Sequence, residues 1–213
     1  MLGFAPHSGW TAVVVIGGTA AKPLVLARER LELAAAHLAE SKQPYHAIEK
    51  LSLAVAAERL AAYQAASARL ASAGIGTLVQ TARAGGIEPL AAGILDSSGR
   101  AGASLATILA SHALIHTADG NHFRAALESG CAAAGLPAIR LRRCDLATLA
   151  ARELRRPGAA LRVTLSRLGR EAGAPWGADQ KEAALLAWLL LARAHSTRAT
   201  TALRAMKPNM RLS

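Results

Sequence analysis

Near the start of the chain an apolar, mostly β-branched run, Thr11-Ala12-Val13-Val14-Val15-Ile16, ends in Gly17-Gly18. β-Branched side chains lose rotamer freedom in a helix and pack well on a pleated surface, while paired glycines favour a turn. The run therefore reads as a strand with a return. Pro23 to Leu33 alternates enough to supply its partner, and Met1 to Ala5 supplies a short strand before it, across the turn Pro6-His7-Ser8-Gly9. The chain opens as a hairpin or meander, and an all-helical fold is excluded.

Beyond residue 40 the pattern is mostly helical. Pro44, a favourable first-turn residue, begins a pattern of Leu51, Val55, Leu60 and Leu70 that predicts a helix to Ala73, ended by Gly74. Ile87 to Leu95 is an apolar run bounded by Gly85-Gly86 and Asp96-Ser97-Ser98-Gly99, hence a buried strand with Asp96 at its C-terminal end. Helical spacing covers Ala103 to Thr117 and Gly120 to Ala134, and Gly135-Leu136-Pro137 breaks it before a strand Ala138 to Arg142. A helix capped by Asp145 runs to about Arg155, Pro157-Gly158 stops it, and further helices span Ala159 to Glu171 and Ala178 to Ala194. No repeat and no linker appears. The expectation is α/β, a mixed sheet whose first strands are antiparallel, flanked by helices, with residues 1–195 as one domain and 196–213 as a flexible basic tail.

Charge is distributed unevenly. The chain carries 25 basic and 14 acidic residues, net +11; residues 1–139 hold 10 and 9 of them, leaving 15 and 5 in residues 140–213. Such asymmetry is the footprint of a polyanion contact, because clustered guanidinium groups neutralise phosphates with release of counterions. With 52% hydrophobic residues the chain is too apolar for a disordered basic tail. Yet 52 Ala and 20 Arg against 5 Lys is the balance a GC-rich genome produces, so part of the excess reflects codon usage. Cys131 and Cys144 show no metal-ligand spacing and read as reduced thiols, the cytoplasmic expectation. Pro6 and Gly17-Gly18 interrupt the uncharged start, which has no basic n-region, so no signal peptide is expected; Ala101 to Ala118 and Ala183 to Ala192 are too polar and too short, respectively, to span a bilayer, so no membrane partner is expected.

Three motifs carry a resemblance. Gly3-Phe4-Ala5-Pro6-His7-Ser8-Gly9-Trp10-Thr11 resembles the first two strands of Holliday-junction resolvases of the RuvC type, which begin Gly-Ile-Asp-Pro-Gly and continue through Thr-Gly. Asp179-Gln180-Lys181-Glu182-Ala183 resembles the family's Asp-x-x-Asp-Ala helix, and Ala133-Ala134-Gly135-Leu136-Pro137 its turn before the fifth strand. Together they imply a ribonuclease H-like fold over roughly residues 1–193.

The resemblance implies Mg²⁺- or Mn²⁺-dependent endonuclease chemistry, with carboxylates converging on two ions about 3.5–4 Å apart. Asp96, Asp179 and Glu182 would be the ligands and His7 an auxiliary base or ligand. The metal-bridging Asp that the family places before the Pro is Ala5 here, so the site is incomplete. Two functions are compatible with this: a divergent resolvase-like protein that binds structured nucleic acid, branched DNA or RNA, with or without cleavage; or a catalytically inactive pseudo-nuclease serving in interaction or assembly. Because resolvases of this type act on two-fold symmetric junctions, the resemblance also implies a homodimer, although no apolar stripe in the sequence argues for one.

Arg140, Arg142 and Arg143, with Arg152, Arg155 and Arg156, are the candidate phosphate-tracking surface; cations near a helix C-terminus are also expected on dipole grounds alone. His112 and His116, at i and i+4, share a helix face but lack the HExxH glutamate. With His7 and Asp96 they make a second-rank pocket suited to a hydrolase acting on another substrate. Asp96-Ser97-Ser98-Gly99 also reads as a turn with capping side chains.

Overall fold

The computed structural model describes residues 1–97 and 102–205, with 197–205 by backbone alone. Five strands form one sheet in the order β3-β2-β1-β4-β5: β1 Leu2–His7, β2 Trp10–Gly18, β3 Pro23–Glu32, β4 Ala92–Asp96 and β5 Ala138–Arg142. β1 pairs antiparallel with β2, and β2 with β3; β1 and β5 flank β4 in parallel. The meander and the parallel continuation are thus both present. The helices are α1 Pro44–Ile48, α2 Leu53–Ala84, α3 Leu105–Leu109, α4 His112–Ala133, α5 Arg143–Glu153, α6 Gly158–Ala172 and α7 Ala178–Ala205.

Period-two alternation along β1 and β2 divides the core. Ala5, Ala12, Val14 and Ile16 pack with Leu146, Leu165 and the buried run Ala183–Ala187 of α5, α6 and α7. Leu2, Phe4, Val13 and Val15 pack on the other face with Ile75 of α2 and with Phe123 and Leu127 of α4. Each large side chain so buried contributes roughly 1.5–3 kcal/mol. α7 lies close against the sheet because two strand residues lack side chains: a Cβ on Gly3 would sit 2.0 Å from the Ala183 carbonyl oxygen, and one on Gly93 2.7 Å from Leu186.

Several element boundaries differ from the sequence expectation. The helix beginning at Pro44 stops at Ile48, and a second one, starting after Ser52, passes through Gly74 to Ala84. Gly74 is retained for packing, since a Cβ there would meet Leu31 of β3 at 3.1 Å. The strand expected from Ile87 is paired only from Ala92. The helix expected across 103–117 is broken at Ser111, whose backbone is extended, whereas α4 continues through Gly120. Asp145 lies in the first turn of α5 and does not cap it; Arg142 holds the cap position without a side-chain bond. α7 is helical to Ala205, and residues 206–213 of the expected tail lie outside the described residues, as do Ser98 and Gly99 of the turn after β4. No helix among the described residues is long and apolar enough to cross a membrane.

Candidate functional site

In a sheet with parallel central strands, the C-terminal strand ends collect side chains from several elements. Here β1 delivers His7, β4 delivers Asp96, β5 runs through Arg140 and Arg142 into Arg143 at the start of α5, and the first turns of α7 deliver Asp179 and Glu182. All four expected catalytic residues therefore stand at this edge or at the start of α7. Their partners decide what the edge can do.

Ala5 is fully buried in the apolar cluster that contains Ala183, Ala184 and Ala187 of α7. Two residues on, His7 stacks on Trp10 with ring centroids 4.4 Å apart and planes within 8°. The Arg30 guanidinium lies 4.0 Å from the centroid of the same indole. His7 Nε2 is 2.7 Å from Asp179 Oδ1 but is not aligned as a hydrogen bond. Asp179 also gains from its place in the first turn of α7, where the helix dipole favours an anion.

Asp96 faces two guanidiniums. Arg124 Nε is 3.2 Å from its Oδ1, and Arg140 Nη1 is 3.9 Å from its Oδ2. Oδ1 also accepts the amide of the next residue, Ser97, at 2.8 Å; the helix that follows is capped by Ser104. Arg124 is buried on α4 and donates to the Leu95 carbonyl at 3.0 Å. Burial pushes its pKa down, Asp96 opposes that, and the nearby charges of Arg140 and Arg143 add to it. Gly120 leaves room for this guanidinium: a Cβ there would be 2.7 Å from Arg124 Nη1. Glu182 Oε2 lies 3.0 Å from Arg143 Nη1, again without hydrogen-bond alignment.

These residues do not fit a pair of Mg²⁺ or Mn²⁺ ions. Hard divalent ions need oxygen ligands that converge. The ligand oxygens of Asp96, Asp179 and Glu182 do not gather within 4.8 Å of one another, and each meets a guanidinium or an imidazole instead. With Ala5 on β1, the edge holds carboxylates already partnered by Arg124, Arg143 and His7 where a metal centre would need free oxygens.

The expected arginine surface is also largely paired. Arg140 makes two 2.7 Å bonds to Glu128, and Arg142 bonds Asp145 at 2.8 and 3.1 Å. Arg152 meets Glu153, which Arg193 grips at 2.7 and 2.9 Å. Arg140 turns to α4 and Arg142 to α5, so the two do not share one partner surface. Arg155 lies beyond α5 with a positive φ of 53°, and Arg156 reaches the Ala21 carbonyl at 3.1 Å. Each of the 5 acidic residues in 140–213, namely Asp145, Glu153, Glu171, Asp179 and Glu182, has a basic or imidazole partner.

His112 and His116 do not join His7 and Asp96. They meet His46 of α1 instead, and the three rings lie within 5.4 Å of one another. Sequence reasoning missed His46, its partner Asp119 and Arg124. For His46 no local signal existed. Arg124 had one, a glycine four residues earlier on an apolar helix.

No family model matches the chain, and no curated protein matches it in sequence. Among solved structures it is similar to Thermus thermophilus RuvC in complex with Holliday junction substrate, at a TM-score of 0.53 and 13% identity over 92% of this chain and 94% of that one. It is similar also to the T. thermophilus RuvC structure determined separately, at a TM-score of 0.53 and 14% identity over 92% and 95%. At these identities the likeness shows the fold: a mixed five-stranded sheet flanked by helices, of the ribonuclease H-like, RuvC-like kind.

Proposed function

We propose that this chain binds structured nucleic acid on a resolvase-like fold and does so without two-metal hydrolysis. The observation that carries the reading is the pairing at the sheet edge: Ala5 packs into an apolar cluster, and Asp96, Asp179 and Glu182 face Arg124, His7 and Arg143. Arg124 beside Asp96 and Arg143 beside Glu182 supply positive charge that would otherwise come from an ion, and His7 lies against Asp179, so each carboxylate of the edge already has a protein partner.

Two facts support nucleic acid as the ligand: the fold likeness to a protein in complex with a Holliday junction, and the net charge of +11. With the five carboxylates of residues 140–213 engaged, the excess in this third rests on arginines such as Arg155, Arg156, Arg162 and Arg170 and on residues further along α7. The reading takes residues 1–195 as one domain in the cytoplasm and a homodimer as the form that meets a two-fold symmetric junction.

The test is titration of a labelled four-way DNA junction, a DNA duplex and a structured RNA with the full chain at 50 and 200 mM salt. Binding is expected to weaken steeply with salt, and Arg155→Glu with Arg156→Glu to weaken it about tenfold whatever the sequence. Salt-insensitive binding, or indifference to the charge reversal, overturns the binding half. Cleavage of any of the three with Mg²⁺ or Mn²⁺ overturns the non-hydrolytic half.

A further inference from the structure

We propose that His46, His112 and His116 form a binding site for one borderline transition-metal ion, of which Zn²⁺ is the representative, with Asp119 positioning His46. The site is separate from the sheet edge and does not depend on whether the chain binds nucleic acid.

The residues come from two helices. His112 and His116 are one turn apart at the start of α4, with their Nε2 atoms 3.0 Å apart. His46 lies on α1, and the three imidazoles each place a ring nitrogen within 4.8 Å of the others. Two nitrogens bound tetrahedrally to one Zn²⁺ at about 2.0–2.1 Å stand roughly 3.4 Å apart, so small side-chain rotations bring the three onto a common ion. Imidazole suits zinc, copper and nickel, whereas Mg²⁺ and Ca²⁺ require oxygen donors. The donor set therefore selects against the ions implied for the sheet edge.

Asp119 argues for a built site independently of the rings. It is buried on α4, where an ionisable side chain is costly without purpose. One oxygen accepts the Tyr45 amide at 2.7 Å, and the other meets His46 Nδ1 at 2.5 Å. An ionised Asp119 can only accept, which places the proton on Nδ1 of His46 and leaves its Nε2 lone pair for a ligand. A carboxylate behind a metal-binding imidazole is the usual outer partner of a zinc ligand, fixing its tautomer and raising its basicity. His112 and His116 are exposed, so a fourth coordination position opens to solvent, as in zinc sites that bind water or an exchangeable anion.

The experiment uses the full chain stripped of metal with a chelator. Zn²⁺ and Mg²⁺ are titrated calorimetrically, and Co²⁺ binding is followed by its visible absorption, whose intensity distinguishes tetrahedral from octahedral coordination. The expected result is one Zn²⁺ per chain at roughly micromolar affinity or tighter, no Mg²⁺ binding, and an intense, low-symmetry Co²⁺ spectrum. Asp119→Asn should weaken Zn²⁺ by about 10- to 100-fold at unchanged stoichiometry, the effect of losing an outer partner. His112→Gln with His116→Gln changes only exposed positions, and should abolish the site with the metal-free fold retained by circular dichroism. No Zn²⁺ binding, an octahedral Co²⁺ spectrum, or Zn²⁺ affinity unchanged in the double variant overturns the proposal.

Discussion

His7 Nε2 stands 2.7 Å from Asp179 Oδ1, joining the end of β1 to the first turn of α7. The same imidazole stacks on Trp10, which pairs with it across the β1–β2 hairpin. The pair thus ties together the elements that frame the sheet edge. It also places an imidazole against a carboxylate at a position where two-metal chemistry would require that carboxylate to face an ion. The approach of α7 to β1 is fixed below this contact by the absence of a side chain at residue 3.

Gly3→Ala should destabilise the protein by about 2–3 kcal/mol, because the added carbon would lie 2.0 Å from the Ala183 carbonyl oxygen and backbone cannot yield locally. Gly76→Ala is the contrasting case. Gly76 lies inside α2 with no atom within 4 Å of the added carbon, so this change should stabilise by about 0.5–1 kcal/mol through helix propensity. Urea denaturation of both variants checks the pair; equal effects would show that α7 does not press on Gly3.

The contrast between these glycines explains what was legible in the sequence. Gly17-Gly18 after a β-branched run marked the end of β2 because the information is local. Gly74 reads as a helix end although it sits inside α2, because its reason is Leu31 of a distant strand. The site divided in the same way. His7 and Asp96 stand at strand ends and Asp179 and Glu182 in the first turns of α7, but the three carboxylates do not converge as the motifs implied. Their partners arrive from elsewhere: Arg124 from α4, and Arg143 from the strand-to-helix junction. His46 and His112 meet only through the docking of α1 on α4, and no spacing rule reaches across that interval.

Ala5→Asp restores the carboxylate that the family resemblance expects, into a place shaped for a methyl group. Ala5 is fully buried among alanines of α7, so the new charge would have neither water nor a designed partner. The variant should lose about 3 kcal/mol or more and gain no Mg²⁺ affinity. Thermal melts with and without Mg²⁺ measure both. Stability recovered by Mg²⁺ would show that the edge can still assemble a metal centre.

Burial holds the His122 imidazole down at about pKa 4, against an ordinary value of 6.5. Its Nε2 is 2.9 Å from Ser67 Oγ, and its Nδ1 is buried without a partner. The unfolded chain takes up a proton near pH 6.5 while the folded chain does not. His122 therefore leaves stability intact above that pH and lowers it as pH falls from about 6.5 to 4, by about 3 kcal/mol once both states are protonated. His122→Gln removes the titration, so the difference in unfolding free energy between parent and variant should change by about that amount between pH 7 and pH 4. Parallel profiles would show that His122 is protonated as readily in the fold as in the open chain.

Arg124 and Asp96 provide the sharpest measure of how far protein charges have taken over the sheet edge. The guanidinium is buried, lies 3.2 Å from Asp96 and also holds the Leu95 carbonyl. Arg124→Met keeps much of the apolar volume but leaves Asp96 with only the more distant Arg140 at 3.9 Å, and should cost about 3–5 kcal/mol. Asp96→Asn leaves a buried arginine with less compensation, and its burial already pushes the guanidinium pKa down, so a loss of similar size is expected. If the two residues act as one charge pair, the double variant costs clearly less than the sum of the singles, since removing both ends leaves no uncompensated charge. Additive losses would mean that Asp96 is held by the Ser97 amide and Arg140 instead, and that the Arg124 guanidinium is retained for its bond to the Leu95 carbonyl.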